Sequence, residues 1–223
     1  MLANPTIVLT GFGPFPGIPY NASATLVPRL ADATRARFPT YRTVYEVLPT
    51  DWRESPARLR RLIGKGNIVL ALHFGVSKSA DGFVLELVGR NQNAERCDAS
   101  GSLPPSESVL EYGPDLLTCT LPAERICARL KGLGLPCSTS NDAGSYLCNA
   151  LLYHSLTVAH AAGEPYLAGF VHIPADLAGS GPDACDPHPD CALDWHQALN
   201  GALEIVTACI EQFERREPSV KTG

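Results

Sequence analysis

What the sequence lacks narrows its function before any motif is read. No apolar run approaches the roughly 18 to 20 residues that a membrane span requires. The first residues, Met1-Leu-Ala-Asn-Pro5, pass directly into the short run Thr6 to Thr10, without the basic start and long apolar stretch of a secretory signal. A cytoplasmic protein without membrane attachment is expected. Basic charge is also scarce: the formal net charge is -5 and the sequence pI about 5.7. A nucleic-acid partner would call for a concentrated Lys/Arg surface, so none is expected. Neither the dinucleotide fingerprint nor the Walker pattern occurs, and no internal repeat, low-complexity tract or linker divides the chain.

What is present is enough to build a core. With 223 residues and 45% hydrophobic content, the chain falls in the range of one α/β domain. A single domain over 1–216 is expected, with 217–223 as a disordered tail. Short β-branched runs at 7–10, 43–48, 68–74 and 167–173 read as strands, several of them apolar on both faces. Helical patterns cover about 22–38, 52–64, 122–134, 145–162 and 193–215. This alternation predicts an α/β fold, a three-layer α/β/α sandwich around a mostly parallel, mixed sheet. In such sheets ligands bind beyond the carboxyl ends of the strands. Two stretches break the rhythm. Residues 89–114 are polar and rich in breakers, as a long surface loop or lid would be, and 174–192 form a second, proline-rich loop.

The eight cysteines at 97, 119, 127, 137, 148, 185, 191 and 209 are too dispersed for a compact disulfide scaffold. Cys148 stands apart from the rest. It follows an apparent strand end and the turn Ala143-Gly144, and Ser145 is placed to cap a helix that begins there. In the first turn of a helix a thiol faces unpaired N–H groups and the positive end of the dipole, which favour the thiolate. The alternative is a small buried hydrophobe. Cys185-Asp-Pro-His188-Pro-Asp-Cys191 lacks the fourth ligand and the paired spacing of a structural zinc site. It reads as a plain loop, with a Cys185–Cys191 disulfide left open and no metal expected.

His172 lies near the end of the apolar run Ala168-Gly-Phe-Val-His-Ile-Pro, which Pro174 terminates. It must find a buried partner or open onto a site. Either a core histidine bonded to a carbonyl or the base that activates a cysteine fits, and it is better placed for the second role than His73, His154, His160, His188 or His196. Glu86 alternates with Val84 and Val88 in Phe83-Val-Leu-Glu-Leu-Val. On an apolar strand face a carboxylate needs a partner. An imidazolium would serve, and an edge strand facing solvent would remove the need. Gly11-Phe-Gly-Pro-Phe-Pro-Gly17 follows the first strand, where its prolines remove the donors a phosphate would use. Phe12 and Phe15 look like walls for a flat, uncharged group, with core packing as the alternative.

Four segments, in this order, resemble the pyroglutamyl peptidase family, also called pyrrolidone carboxyl peptidase: Thr10-Gly-Phe-Gly-Pro-Phe15, the Glu86 segment with Asn91, Asp142-Ala-Gly-Ser-Tyr-Leu-Cys-Asn149, and Gly169-Phe-Val-His-Ile-Pro174. The resemblance runs from about Ile7 to Phe213. It implies a cysteine peptidase that removes an N-terminal pyroglutamyl residue from peptides without a cofactor. By resemblance Cys148 matches the nucleophile, His172 the general base and acid, and Glu86 the carboxylate that orients the histidine. Phe12, Phe15 and Tyr146 match pocket walls, and Arg96 aligns with a family arginine near the site. Backbone groups near Val76 and Thr50 are candidates for the polar contacts. Leu87 after Glu86, Pro16-Gly17, Asn21-Ala-Ser23 and Val76 depart from common patterns of the family and bear on substrate contacts, while the catalytic set is intact. Relatives include monomers and tetramers, so a homo-oligomer is open. The rival readings are a nucleoside-binding or phosphorolytic enzyme of similar fold and a catalytically inactive binding relative.

Overall fold

The computed structural model describes residues 4–64, 66–162, 166–179 and 191–216. The tail 217–223 and most of the 174–192 loop, including Cys185 and His188, lie outside the described residues, as do the expectations attached to them. Six strands form the main sheet: β1 (Thr6–Phe12), β2 (Arg42–Leu48), β3 (Ile68–Ser77), β4 (Phe83–Glu86), β7 (Cys137–Ser140) and β8 (Leu167–Pro174). Their order is β2-β1-β3-β8-β4-β7. The first four are mutually parallel, β4 is antiparallel to β8, and β7 is parallel to β4. The sheet is therefore mostly parallel and mixed.

Helices cover both faces. On one side α1 (Ala22–Arg37), α3 (Ala123–Gly132) and α5 (Trp195–Arg216) bury Leu26, Leu30, Ile126, Leu130, Ile205 and Ile210 against the odd-numbered side chains of β1 and β8, such as Leu9 and Val171. On the other, α2 (Glu54–Ile63) and α4 (Leu147–Ala161) pack Leu59, Ile63, Leu151 and Leu156 against Val8, Ala71, Ala168 and Phe170. Burying each such aliphatic side chain stabilises the fold by about 1.5–3 kcal/mol relative to exposure. Strands apolar on both faces are thus explained by the three layers. No described helix is long and apolar enough to cross a membrane.

The expected loop at 89–114 is more structured than its composition implies. Val88–Arg90 (β5) pairs antiparallel with Leu116–Thr118 (β6) as a two-stranded ribbon. Asn91 organises the segment between them: its Nδ2 donates to the carbonyls of Leu110 and Gly113, and its Oδ1 accepts from Leu110 N–H at 2.8 Å. Val88 accordingly belongs to the ribbon, and the alternation read over 84, 86 and 88 holds in the main sheet only through Glu86.

Candidate active site

The chain enters α4 through a turn built for it. Asp142 accepts from Gly144 N–H at 3.0 Å, and Gly144 adopts φ 75, the left-handed conformation that favours glycine. The helix then starts at Tyr146, whose side chain makes no capping bond. Ser145, the expected cap, instead uses its carbonyl to accept from Ala94 N–H at 2.6 Å. The contrast with α1 is informative, since there Asn21 Oδ1 caps by accepting from Ser23 N–H. In α4 the N–H groups of Leu147, Cys148 and Asn149 precede the first intrahelical bond, which runs from Ala150 N–H to Tyr146 O. Cys148 is therefore the second residue of a helix without a side-chain cap, close to the positive end of its dipole.

Strand β8 brings His172 beneath the Cys148 sulfur. His172 and Phe170 share the α4 side of the sheet, with their rings 4.9 Å apart. His172 pairs in register with Gly75 on β3 and Val84 on β4. Two residues along β4 from Val84, on the same face, Glu86 reaches His172: Nδ1 and Oε1 are 2.7 Å apart, and both side chains are buried. The second ring nitrogen is left for Cys148, whose sulfur lies near enough to favour the charged ring. Burial opposes the imidazolium, but the Cys148 sulfur and the Glu86 carboxylate outweigh it, raising the His172 pKa to about 10. β4 is an interior strand, so the alternative of a solvent-facing edge for Glu86 does not apply. Gly75 completes the packing. A Cβ there would fall 2.7 Å from Phe170 Cζ and 3.1 Å from Cys148 Sγ, so only glycine leaves room for ring and sulfur together.

Beside Cys148 opens a small recess lined by Phe12, Phe15, Asn21, Thr50, Gly75, Val76, Tyr146 and Leu147. Every pocket residue named from sequence is among these except Arg96. Phe15 and Tyr146 are 5.9 Å apart, and Trp52 stands edge-on to Tyr146 at 5.2 Å. Arg96 instead lies outside, its guanidinium 4.7 Å over the Tyr146 ring. Val76 presents backbone to the recess because its side chain packs in the opposite core. The Thr50 hydroxyl donates to Gly13 O, and its carbonyl already accepts from Ala99 N–H. Larger depressions around residues 90–116 and along α2 contain none of Cys148, His172 and Glu86.

Three residues of this neighbourhood were not legible as site residues. Asn21 lines the recess and donates to Gly13 O; its signals were the N-cap spacing to Ser23 and its place in a segment that departs from the family pattern. Asn149 is fully buried: its side chain accepts from Arg90 N–H and donates to the carbonyls of Arg90 and Gln92, fastening the polar loop to α4. Asp98, also buried, accepts from the N–H groups of Trp52, Ser100 and Ser102 and from the Ser100 hydroxyl. It thereby holds the loop against the Trp52–Tyr146 wall. Among the other histidines, His73 is buried against Thr10 with its pKa lowered to about 3, and His154 is lowered to about 4, both by burial. His160 is bonded to Thr118 O, and His196 lies beside Asn200.

Comparison with known proteins gives a consistent result. The model of the pyroglutamyl peptidase family matches residues 5–206. A pyrrolidone-carboxylate peptidase of Oceanobacillus iheyensis is 31% identical over 169 residues, covering 76% of this chain and 83% of its own. One from Halalkalibacterium halodurans is 32% identical over 170 residues, with the same coverage of each. In fold, the chain is similar to crystal structures of pyrrolidone carboxyl peptidase from the hyperthermophile Pyrococcus furiosus, with a TM-score of 0.78, 24% identity, and coverage of 93% of this chain and 99% of that one.

Proposed function

The chain belongs to the pyroglutamyl peptidase family, and we propose that it hydrolyses the bond after an N-terminal pyroglutamyl residue of peptides, with Cys148 as nucleophile. The observation that carries this reading is the buried relay from Glu86 through His172 to a cysteine in the first turn of a helix without a side-chain cap, opening on an apolar recess.

The chemistry follows from the positions. Glu86 holds His172 by Nδ1, so the other ring nitrogen faces Cys148 and takes or returns its proton. The thiolate attacks the pyroglutamyl carbonyl, and the oxyanion meets the unpaired N–H groups at the start of α4. His172 then gives its proton to the leaving amine, the C–N bond breaks, and a thioester remains. Water, deprotonated by His172, hydrolyses the thioester and restores the thiolate.

Specificity falls to the recess. Pyroglutamate carries no free α-amino group, so its ring must be recognised as a flat, neutral lactam. Phe12, Phe15 and Tyr146 supply the walls, and backbone groups at Val76 and Thr50 are the polar contacts for the lactam N–H and C=O. Proline fits the same walls but lacks the carbonyl, which leaves a buried donor unmet. Arg96 braces Tyr146 from outside. Among the described residues none lining the recess is cationic, which speaks against the phosphate-dependent nucleoside chemistry considered as a rival.

The test is hydrolysis of fluorogenic pyroglutamyl, prolyl and alanyl amides under reducing conditions by the wild type and by Cys148→Ala. Cleavage of the pyroglutamyl amide alone, lost in Cys148→Ala, is expected. Folded, reduced wild type that is inert toward all three would overturn the reading.

A further inference from the structure

Away from the recess, Cys127 on α3 and Cys137 at the start of β7 place their sulfurs 2.7 Å apart, and both thiols are free. That separation is longer than the roughly 2.05 Å of a disulfide but well inside an ordinary contact between two sulfurs. Both side chains are partly exposed. Among the described residues no other pair of thiols is bonded in this way. Cys119 and Cys209 are held protonated by burial, and Cys97 is exposed without a thiol partner.

We propose that Cys127 and Cys137 are a reversible modification site, a dithiol that closes to an intramolecular disulfide by exchange with a small-molecule disulfide such as oxidised glutathione. The Cys127 thiolate attacks one sulfur of the small disulfide and forms a mixed disulfide, releasing one small thiolate. The Cys137 sulfur then attacks the Cys127 sulfur, releasing the second. The two protein thiols lose two electrons and two protons, which end on the two small thiols.

The order of attack follows from the surroundings. Cys137 is held as the neutral thiol by burial and by the neighbouring Cys127 thiol, with Lys131 opposing. Once Cys127 is capped, that neighbouring contribution disappears; burial still opposes the second thiolate and Lys131 favours it. The bond would join α3 to the outermost strand of the sheet. β7 pairs with β4 from Phe83↔Cys137 to Glu86↔Ser140, so the link fixes one end of the strand whose other end lies beside Glu86.

The experiment uses the full chain carrying Cys148→Ser, so that the nucleophile does not consume oxidant, equilibrated with graded ratios of reduced and oxidised glutathione. The expected product has lost two hydrogens by intact mass, and peptide mapping joins the segment holding Cys127 to that holding Cys137. Its thermal midpoint is raised, and a dithiol reductant reverses all three changes. Adding Cys127→Ser or Cys137→Ser should leave a stable glutathione adduct on the remaining partner, with circular dichroism unchanged. The proposal is overturned if, where Cys97 already carries glutathione, the pair stays reduced or carries two separate adducts.

Discussion

Glu86 and His172 form a buried pair in which the carboxylate Oε1 stands 2.7 Å from Nδ1 while Oε2 has no protein partner. Glu86→Gln keeps the shape but removes the charge that orients the ring. The expected loss in kcat is about 10³-fold or more, with KM little changed. Steady-state kinetics on the pyroglutamyl amide would show it, and a thermal melt near that of the wild type would exclude unfolding. Equal activity would mean that the pair is structural.

The protonation of His172 gives a pH signature. Its pKa is raised above the ordinary histidine value of 6.5 to about 10 because Cys148 and Glu86 outweigh the burial that opposes the charge. A raised pKa contributes stability that is complete below about 6.5 and is lost as pH rises through about 10. Imidazole titration by NMR should therefore give an alkaline midpoint in the wild type and a lower one in Cys148→Ser. An unshifted midpoint in that variant would remove Cys148 from the pair's environment.

Gly75 is a packing test of the site. In Gly75→Ala the added methyl meets both Phe170 and Cys148 Sγ, and overpacking of this kind costs about 1–3 kcal/mol. A lower thermal midpoint is expected, together with slower alkylation of Cys148 by iodoacetamide, as the sulfur is pushed from its place. Unchanged alkylation would show that Phe170 alone yields.

Asn149 fastens the loop to α4. Asn149→Ala removes three hydrogen bonds to backbone groups of Arg90 and Gln92, each worth about 0.5–1.5 kcal/mol. Hydrogen exchange should accelerate through residues 90–115 ahead of the strands β1 and β3. Uniform acceleration over the whole chain would instead indicate global destabilisation.

Asp98 acts through Trp52. Burial opposes its charge, but hydrogen bonds from Ser100, Trp52 and Ser102 keep its pKa below the usual carboxylate range. Its stabilising contribution is present above the unfolded-state value near 3.9 and fades as pH falls through the lower folded-state value. Asp98→Asn should raise KM for the pyroglutamyl amide more than it lowers kcat, because the wall at Tyr146 loosens while the relay stays. A change in kcat alone would count against this role.

Much of the molecule was readable from its amino acids, and the residues that escaped have a physical trait in common. The helices begin and end within a few residues of their expected places, because their apolar stripes run over several turns. Cys148, His172 and Glu86 stood out as polar groups in apolar or helix-initial positions, each with a structural alternative that only the family resemblance outweighed. Asn149 and Asp98 did not, since each acts by bonding to backbone dozens of residues away, and no local pattern encodes such a partner. β5 and β6 escaped for a related reason: three residues are too few for a period to register. The expectation that Ser145 caps α4 followed a sound local rule, but the helix begins one residue later, with Tyr146 at the N-cap.

The bare end of α4 has a consequence for anyone who would engineer this protein for heat resistance. Scoring schemes that reward well-finished helix ends would choose a serine or aspartate in place of Tyr146, and the helix should indeed melt later. The new side chain would occupy the donors proposed to hold the negatively charged reaction intermediate. Hardier variants found by that route should be selected for idleness, and libraries screened on melting temperature alone should drift toward proteins that last and do nothing.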